Sequence, residues 1–306
     1  MPMGLGSEQG SVVEAAPREP ARRQGGVRVW PWALATGAVV AVLAAGVLFA
    51  WTVNETHFDR PSEQFDQFGA EIAGIPGVES VDNERWVEAP TFSHPTSWMS
   101  VSVSADGLSG VIEAACASDY ADPVTWTIRV GGAAEVTLNA GPPAPAQSDG
   151  ARACPDFGFD AVSLVDELGR VAPGLAVQPA VWDDGRFALV ALEVPSGFTS
   201  VLPLVSNAGR LLEAAGLPAT GIVEINSQNL GFTFEPGERD RCVALLTELA
   251  EEYGASSFWV TSADASADGT GNVQVVAPAA QHDAIEEAIR SSGLSFARDP
   301  VSFLEQ

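Results

Sequence analysis

Lysine is absent from this chain: all 15 basic residues among its 306 are arginine, and they face 40 acids. The resulting net charge of −25 repels phosphate backbones, which excludes nucleic acid as a partner at ordinary salt. Histidine and cysteine number three each and do not cluster, and no C-x-x-C spacing occurs, so no zinc ligand set is present. There is no G-x-S-x-G elbow, no phosphate-cradling P-loop and no H-E-x-x-H pair. Carboxylate pairs such as Asp183-Asp184 and Glu286-Glu287 stand in turn or helix-surface contexts. These absences predict a chain that is not an enzyme and takes no cofactor or metal.

What the chain does have is one long apolar run. Val29 to Asn54 carries no formal charge, and Trp32 to Val53 would form a helix of about 33 Å, against a hydrocarbon core of roughly 30 Å. Trp30 and Trp32 at one end and Trp51 at the other are placed as interface anchors, because indole pairs an apolar ring with a polar N–H. Arg18, Arg22, Arg23 and Arg28 precede the run, and Glu55, Asp59 and Glu63 follow it. The positive-inside rule therefore predicts a disordered cytoplasmic tail (1–28), a transmembrane helix (29–54) and an extracytoplasmic remainder, in a single-pass protein of a bacterial plasma membrane. A cleaved signal peptide is the competing reading, but its apolar region is shorter and ends in small residues.

Beyond residue 60, apolar spacing alternates between helical and strand periods. Helices are predicted near 62–74, 107–118, 160–172, 200–215, 238–253 and 280–291. Each is followed by two strands, except the last, which has one near 294–298. This αββ rhythm predicts an α+β fold of tandem ferredoxin-like modules, with helices on one face of an antiparallel sheet. One frame places modules at 55–140, 155–235 and, in part, 236–306, with a Pro-rich linker at 141–154. A second frame begins at the strand near residue 97.

Three features invite chemistry. Cys116 and Cys242 fall on apolar helix faces, whereas Cys154 sits in a polar loop. In an oxidising compartment, antiparallel neighbouring helices would bring Cys116 to Cys154, and Cys154–Cys242 is the alternative pairing. The loop Asp264–Asn272 resembles the start of a calcium-binding EF-hand loop. Val275 occupies the position that needs a bidentate Glu, and the flanks read as strands, which favours a hairpin loop. His57, His94 and His282 are widely spaced and read as surface residues.

The functional expectation is a non-catalytic binding or scaffold module of the cell envelope. It would touch the lipid bilayer through one helix and an envelope protein or wall polymer through an uncovered sheet face or edge. An envelope hydrolase using scattered carboxylates and a sensor or assembly subunit are the alternatives.

Overall fold

Strand-forming stretches come in hairpin pairs, and a helix separates each pair from the next. The computed structural model describes residues 57–88, 95–141, 152–192, 197–262 and 269–304. In chain order the strands are β1 (His57–Asp59), β2 (Val78–Glu88), β3 (Thr96–Ser104), β4 (Val124–Gly131), β5 (Glu135–Ala140) and β6 (Ala176–Val181). They continue with β7 (Phe187–Ala191), β8 (Val223–Asn226), β9 (Leu230–Phe234), β10 (Ser257–Thr261), β11 (Asn272–Val276) and β12 (Val301–Leu304). The helices between them are α1 (Glu63–Ala73), α2 (Leu108–Ala117), α3 (Ala161–Val171), α4 (Leu202–Ser206), α5 (Ala208–Ala214), α6 (Arg239–Glu251) and α7 (His282–Ser291).

Local chemistry sets these bounds. Ser62 caps α1 by accepting from the Phe65 amide at 3.4 Å, and Asp160 caps α3 by accepting from the Ser163 amide at 3.0 Å. The single helix expected over 200–215 is broken at Asn207. There the side chain donates to the Pro203 carbonyl at 2.8 Å, competing with the helical ladder. Gly77 adopts φ +90°, and a Cβ there would stand 2.5 Å from Ser104 Oγ. Only glycine lets the α1–β2 turn lie that close to the end of β3.

All twelve strands form one sheet in sequence order, β1 through β12. After the antiparallel β1–β2 and β2–β3 pairs, the hairpins β4–β5, β6–β7, β8–β9 and β10–β11 are antiparallel, and the pairs that span a helix from β3–β4 to β11–β12 are parallel. Register keeps one parity inward throughout. Met99, Val101 and Val103 of β3 align with Trp126, Ile128 and Val130 of β4, and the same side continues through Leu138, Leu189, Ile225, Phe258 and Val275. The helices bury their apolar stripes on that side and pack on one another, α3 against α5 and α4 against α6. Phe65, Phe68, Tyr120 and Trp126 form an aromatic cluster at its N-terminal end, with Phe68 and Trp126 edge to face at 5.9 Å.

The tandem ferredoxin-like expectation is overturned. In a split βαβ module the second βαβ unit returns through the first, so that both crossovers lie over one face with the same hand. Here the order is strictly sequential and the sheet is mixed, not antiparallel. Strand direction reverses at every hairpin while the helices stay on one face, so successive crossovers must alternate in hand. At least two of the five parallel crossovers are therefore left-handed, against a right-handed preference of roughly 98%.

The membrane expectation is also corrected. Among the described residues no helix is long and apolar enough to cross a membrane. The longest, α6, has 13 residues, about 20 Å at 1.5 Å per residue, and only its Cys242, Leu245, Leu246 and Leu249 side is buried. The predicted span at 29–54, with Trp30, Trp32 and Trp51, lies outside the described residues. The single-pass assignment and the plasma-membrane location drawn from it are withdrawn.

Candidate functional site

The face of the sheet opposite the helices has the more informative chemistry. Alternation puts Thr125, Thr127 and Arg129 of β4, Thr137 and Asn139 of β5, Gln178 of β6, Glu224 and Asn226 of β8, Thr233 of β9, Trp259 of β10 and Gln274 of β11 on this side. Among the described residues no helix lies over it. From β4 to β12 its strands carry only Arg129, Glu135 and Glu224 as charges, and Arg186, just before β7, adds a fourth. With Asp184, which pairs with Arg186, two positive and three negative charges leave this region close to neutral, at −1, in a chain of net charge −25. The β1–β3 end differs, since β2 turns Asp82, Glu84 and Glu88 outward.

Across β7 to β10 this face holds a groove of about 270 Å³ lined by Arg186, Glu224, Asn226, Gly231, Thr233 and Trp259, with neighbours on β9 and β10. Its floor is a polar network. Glu224 Oε2 accepts from Arg186 Nη1 at 2.7 Å and from the Trp182 indole N–H at 3.1 Å, while Oε1 accepts from the Asn226 amide. Arg186 Nε donates to Asp184 Oδ2 at 2.7 Å. The backbone N–H and guanidinium of Arg186 hold the Asp184 carboxyl below its ordinary pKa. The guanidinium thus lies between two carboxylates, which leaves it little net attraction for an anionic ligand.

Two tryptophans flank this network. Trp182, in the β6–β7 turn, is 42% exposed. Trp259 puts its five-membered ring over Gly231 on the neighbouring strand, where a Cβ would be 2.8 Å from Cδ1. A side chain at position 231 would push the indole away. The Asn226 Oδ1 acceptor lies at the same spot, 3.2 Å from that Cβ position.

Apart from Asp184, which pairs with Arg186, the residues singled out from the sequence lie elsewhere. Cys116, at the end of α2, is joined to Cys154 in a disulfide, with a Cα–Cα distance of 4.1 Å. The segment before α3 is pinned there a second time, because Trp126 Nε1 donates to the Ala153 carbonyl at 2.7 Å. Cys242 is buried, and burial, reinforced by Glu238 and opposed by Arg241, pushes its thiol up to about 12. His282 stacks on Phe303 with ring centroids 3.8 Å apart. His94 lies outside the described residues.

Asp183 and Asp184 occupy the β6–β7 turn, and Glu286 and Glu287 both pair with Arg290. Residues 263–268 of the calcium-like loop lie outside the described residues. At its end Asn272 is in β11, exchanging hydrogen bonds with Ser302 at 3.3 Å, and the loop joins two strands. Among the described residues no group of three or more His, Cys, Asp or Glu is placed to hold a metal ion.

The groove residues carried a partial signal in the sequence. Period two in TGIVEIN and SSFWVTS sets Glu224, Asn226 and Trp259 opposite their apolar neighbours. Their convergence depends on the pairing of β8, β9 and β10, which periodicity does not encode.

No protein-family model matches this chain, no curated protein matches it, and no solved structure matches it.

Proposed function

We propose that this protein is a non-catalytic binding module and that the open face of its sheet docks a polar, uncharged polymer. The observation that carries this reading is the charge contrast. A strongly acidic chain keeps a nearly neutral surface, rich in threonine, asparagine and glutamine, across β4 to β12. Amide and hydroxyl side chains both donate and accept hydrogen bonds, so such a surface suits a partner that bears hydroxyls and amides and no net charge. A cationic partner would be drawn to the helices and to the β1–β3 end, where carboxylates dominate.

The test is retention of the purified protein on insoluble neutral polysaccharides, namely cellulose, chitin and β-glucan, with and without added salt. Retention on at least one, little changed by salt, is expected because no ion pairs form across the interface. It should be lost on placing carboxylates at two open-face positions, Thr127→Glu with Thr233→Glu, and kept on placing them on the helix side, as in Ser109→Glu. Failure to adhere to any of the three, or equal loss from both sets of variants, would remove the open face as the binding surface.

A further inference from the structure

We infer that the groove beside Trp259 is a saccharide subsite, in which one sugar ring stacks on Trp259 and its hydroxyls meet Asn226 and the Arg186–Glu224 pair. The inference rests on the open-face reading and names the residues that would read the ligand.

A pyranose presents a face of C–H bonds and a rim of hydroxyls. It therefore needs an apolar plate next to hydrogen-bonding groups, in a groove open enough for the chain to continue on either side. Each requirement is present. Trp259 provides the plate, since the indole ring carries a negative π face that attracts polarised C–H groups. It stays put because the absent side chain at Gly231 leaves room for its five-membered ring against the sheet.

The rim groups are already fixed. Glu224 is held from three sides by Arg186, Trp182 and Asn226, so little side-chain freedom remains to be lost when a hydroxyl binds. Asn226 gives its N–H to Glu224 and turns its carbonyl oxygen toward the Trp259 side, where it can accept from a hydroxyl. Because Asp184 and Glu224 both engage Arg186, the site selects a neutral ligand over a phosphate or carboxylate. Trp182, whose indole N–H donates to Glu224 Oε2 at 3.1 Å, borders the same network from the side away from Trp259.

The experiment uses the full chain labelled with ¹⁵N at tryptophan and titrated with cellohexaose, chitohexaose or laminarihexaose to millimolar concentration. The Trp259 indole resonance, assigned by its loss in Trp259→Phe, should shift with at least one of them. Trp259→Phe, which keeps a ring, should bind within a few-fold of the native chain. Trp259→Ala should bind at least about tenfold more weakly, equivalent to ~1.4 kcal/mol, and Asn226→Ala should weaken binding several-fold. The fold of each variant is checked by an unchanged thermal midpoint. Retention on a polysaccharide that Trp259→Ala leaves intact, but the Thr127→Glu, Thr233→Glu double variant abolishes, would reject the subsite while keeping the docking face. Shifts confined to tryptophans other than Trp182 and Trp259 would also reject it, as would tighter binding of an anionic oligosaccharide such as oligogalacturonate.

Discussion

Trp126 and Trp259 point to opposite sides of one sheet, and their surroundings show what each side is for. Trp126 is wholly buried, edge to face with Phe68, and its indole N–H is bonded to the Ala153 carbonyl. Trp259 lies on the other side among Asn226, Thr233 and the Arg186–Glu224 pair, at the rim of an open groove. On the helix side a tryptophan removes apolar area from water and contributes stability. On the open side the same residue type is left in contact with solvent, where it contributes little to folding and remains available to a ligand. Substitutions should therefore divide by face, with stability lost on one side and binding on the other.

The largest expected effect comes from Trp126→Ala, which deletes a fully buried ring and leaves the Ala153 carbonyl without its donor. A loss of about 3–5 kcal/mol is expected in urea unfolding. A loss under ~1 kcal/mol would show that the helix side is loosely packed. Opening the Cys116–Cys154 disulfide, by Cys154→Ser with Cys116→Ser, should cost roughly 2–4 kcal/mol, since the bond spans a sequence separation of 38 residues. Unchanged stability after reduction would mean that Trp126 and the Ala153 carbonyl hold this segment alone.

Smaller effects sharpen the contrast. Cys242, with its thiol raised to about 12, should resist iodoacetamide at pH 8 in the folded chain and react once urea unfolds it. Rapid native alkylation would indicate that α6 opens locally. Thr137→Ala, on the open face, should stay within about 0.5 kcal/mol of the native stability. Asp184 sets a pH limit on the groove. Its folded pKa lies below the ordinary aspartate value of about 3.9, so its contribution is present above that value and is lost as pH falls through the lower folded one. Carboxyl-detected NMR should follow Asp184 titrating below the ordinary aspartate value. Titration at that ordinary value would mean that Arg186 does not hold it.

Much of the local structure was legible in advance. The apolar period of helices such as 161–171 and 239–251 stands in the sequence because a helix against a sheet needs one buried stripe. Strands β3 and β4 announce themselves by strict alternation, because one face is buried and the other is not. The last strand was misplaced, expected at 294–298 and found at Val301–Leu304. Leu294 and Phe296 are buried in a turn-rich segment, and apolar residues in so short a stretch do not reveal their backbone conformation. Strand β1 has no counterpart in the sequence pattern, since three residues are too few to show a period.

The groove was the least legible element. Glu224 and Trp259 are 35 positions apart in sequence and meet only because β8, β9 and β10 are neighbours in that order. The αββ rhythm is shared by an interleaved and a sequential sheet, and handedness statistics favoured the first.

By itself the sequence determined where most of the helices and strands lie, which side of each faces the core, and how far acids outnumber bases. Those follow from period and composition, which are local properties of the chain. Only the tertiary structure decided that the strands form one sequential sheet, that all helices gather on one side, and that Trp182, Arg186, Glu224, Asn226 and Trp259 share a surface. Strand pairing is a contest between distant segments with similar apolar faces, and it is settled by packing summed over the whole sheet.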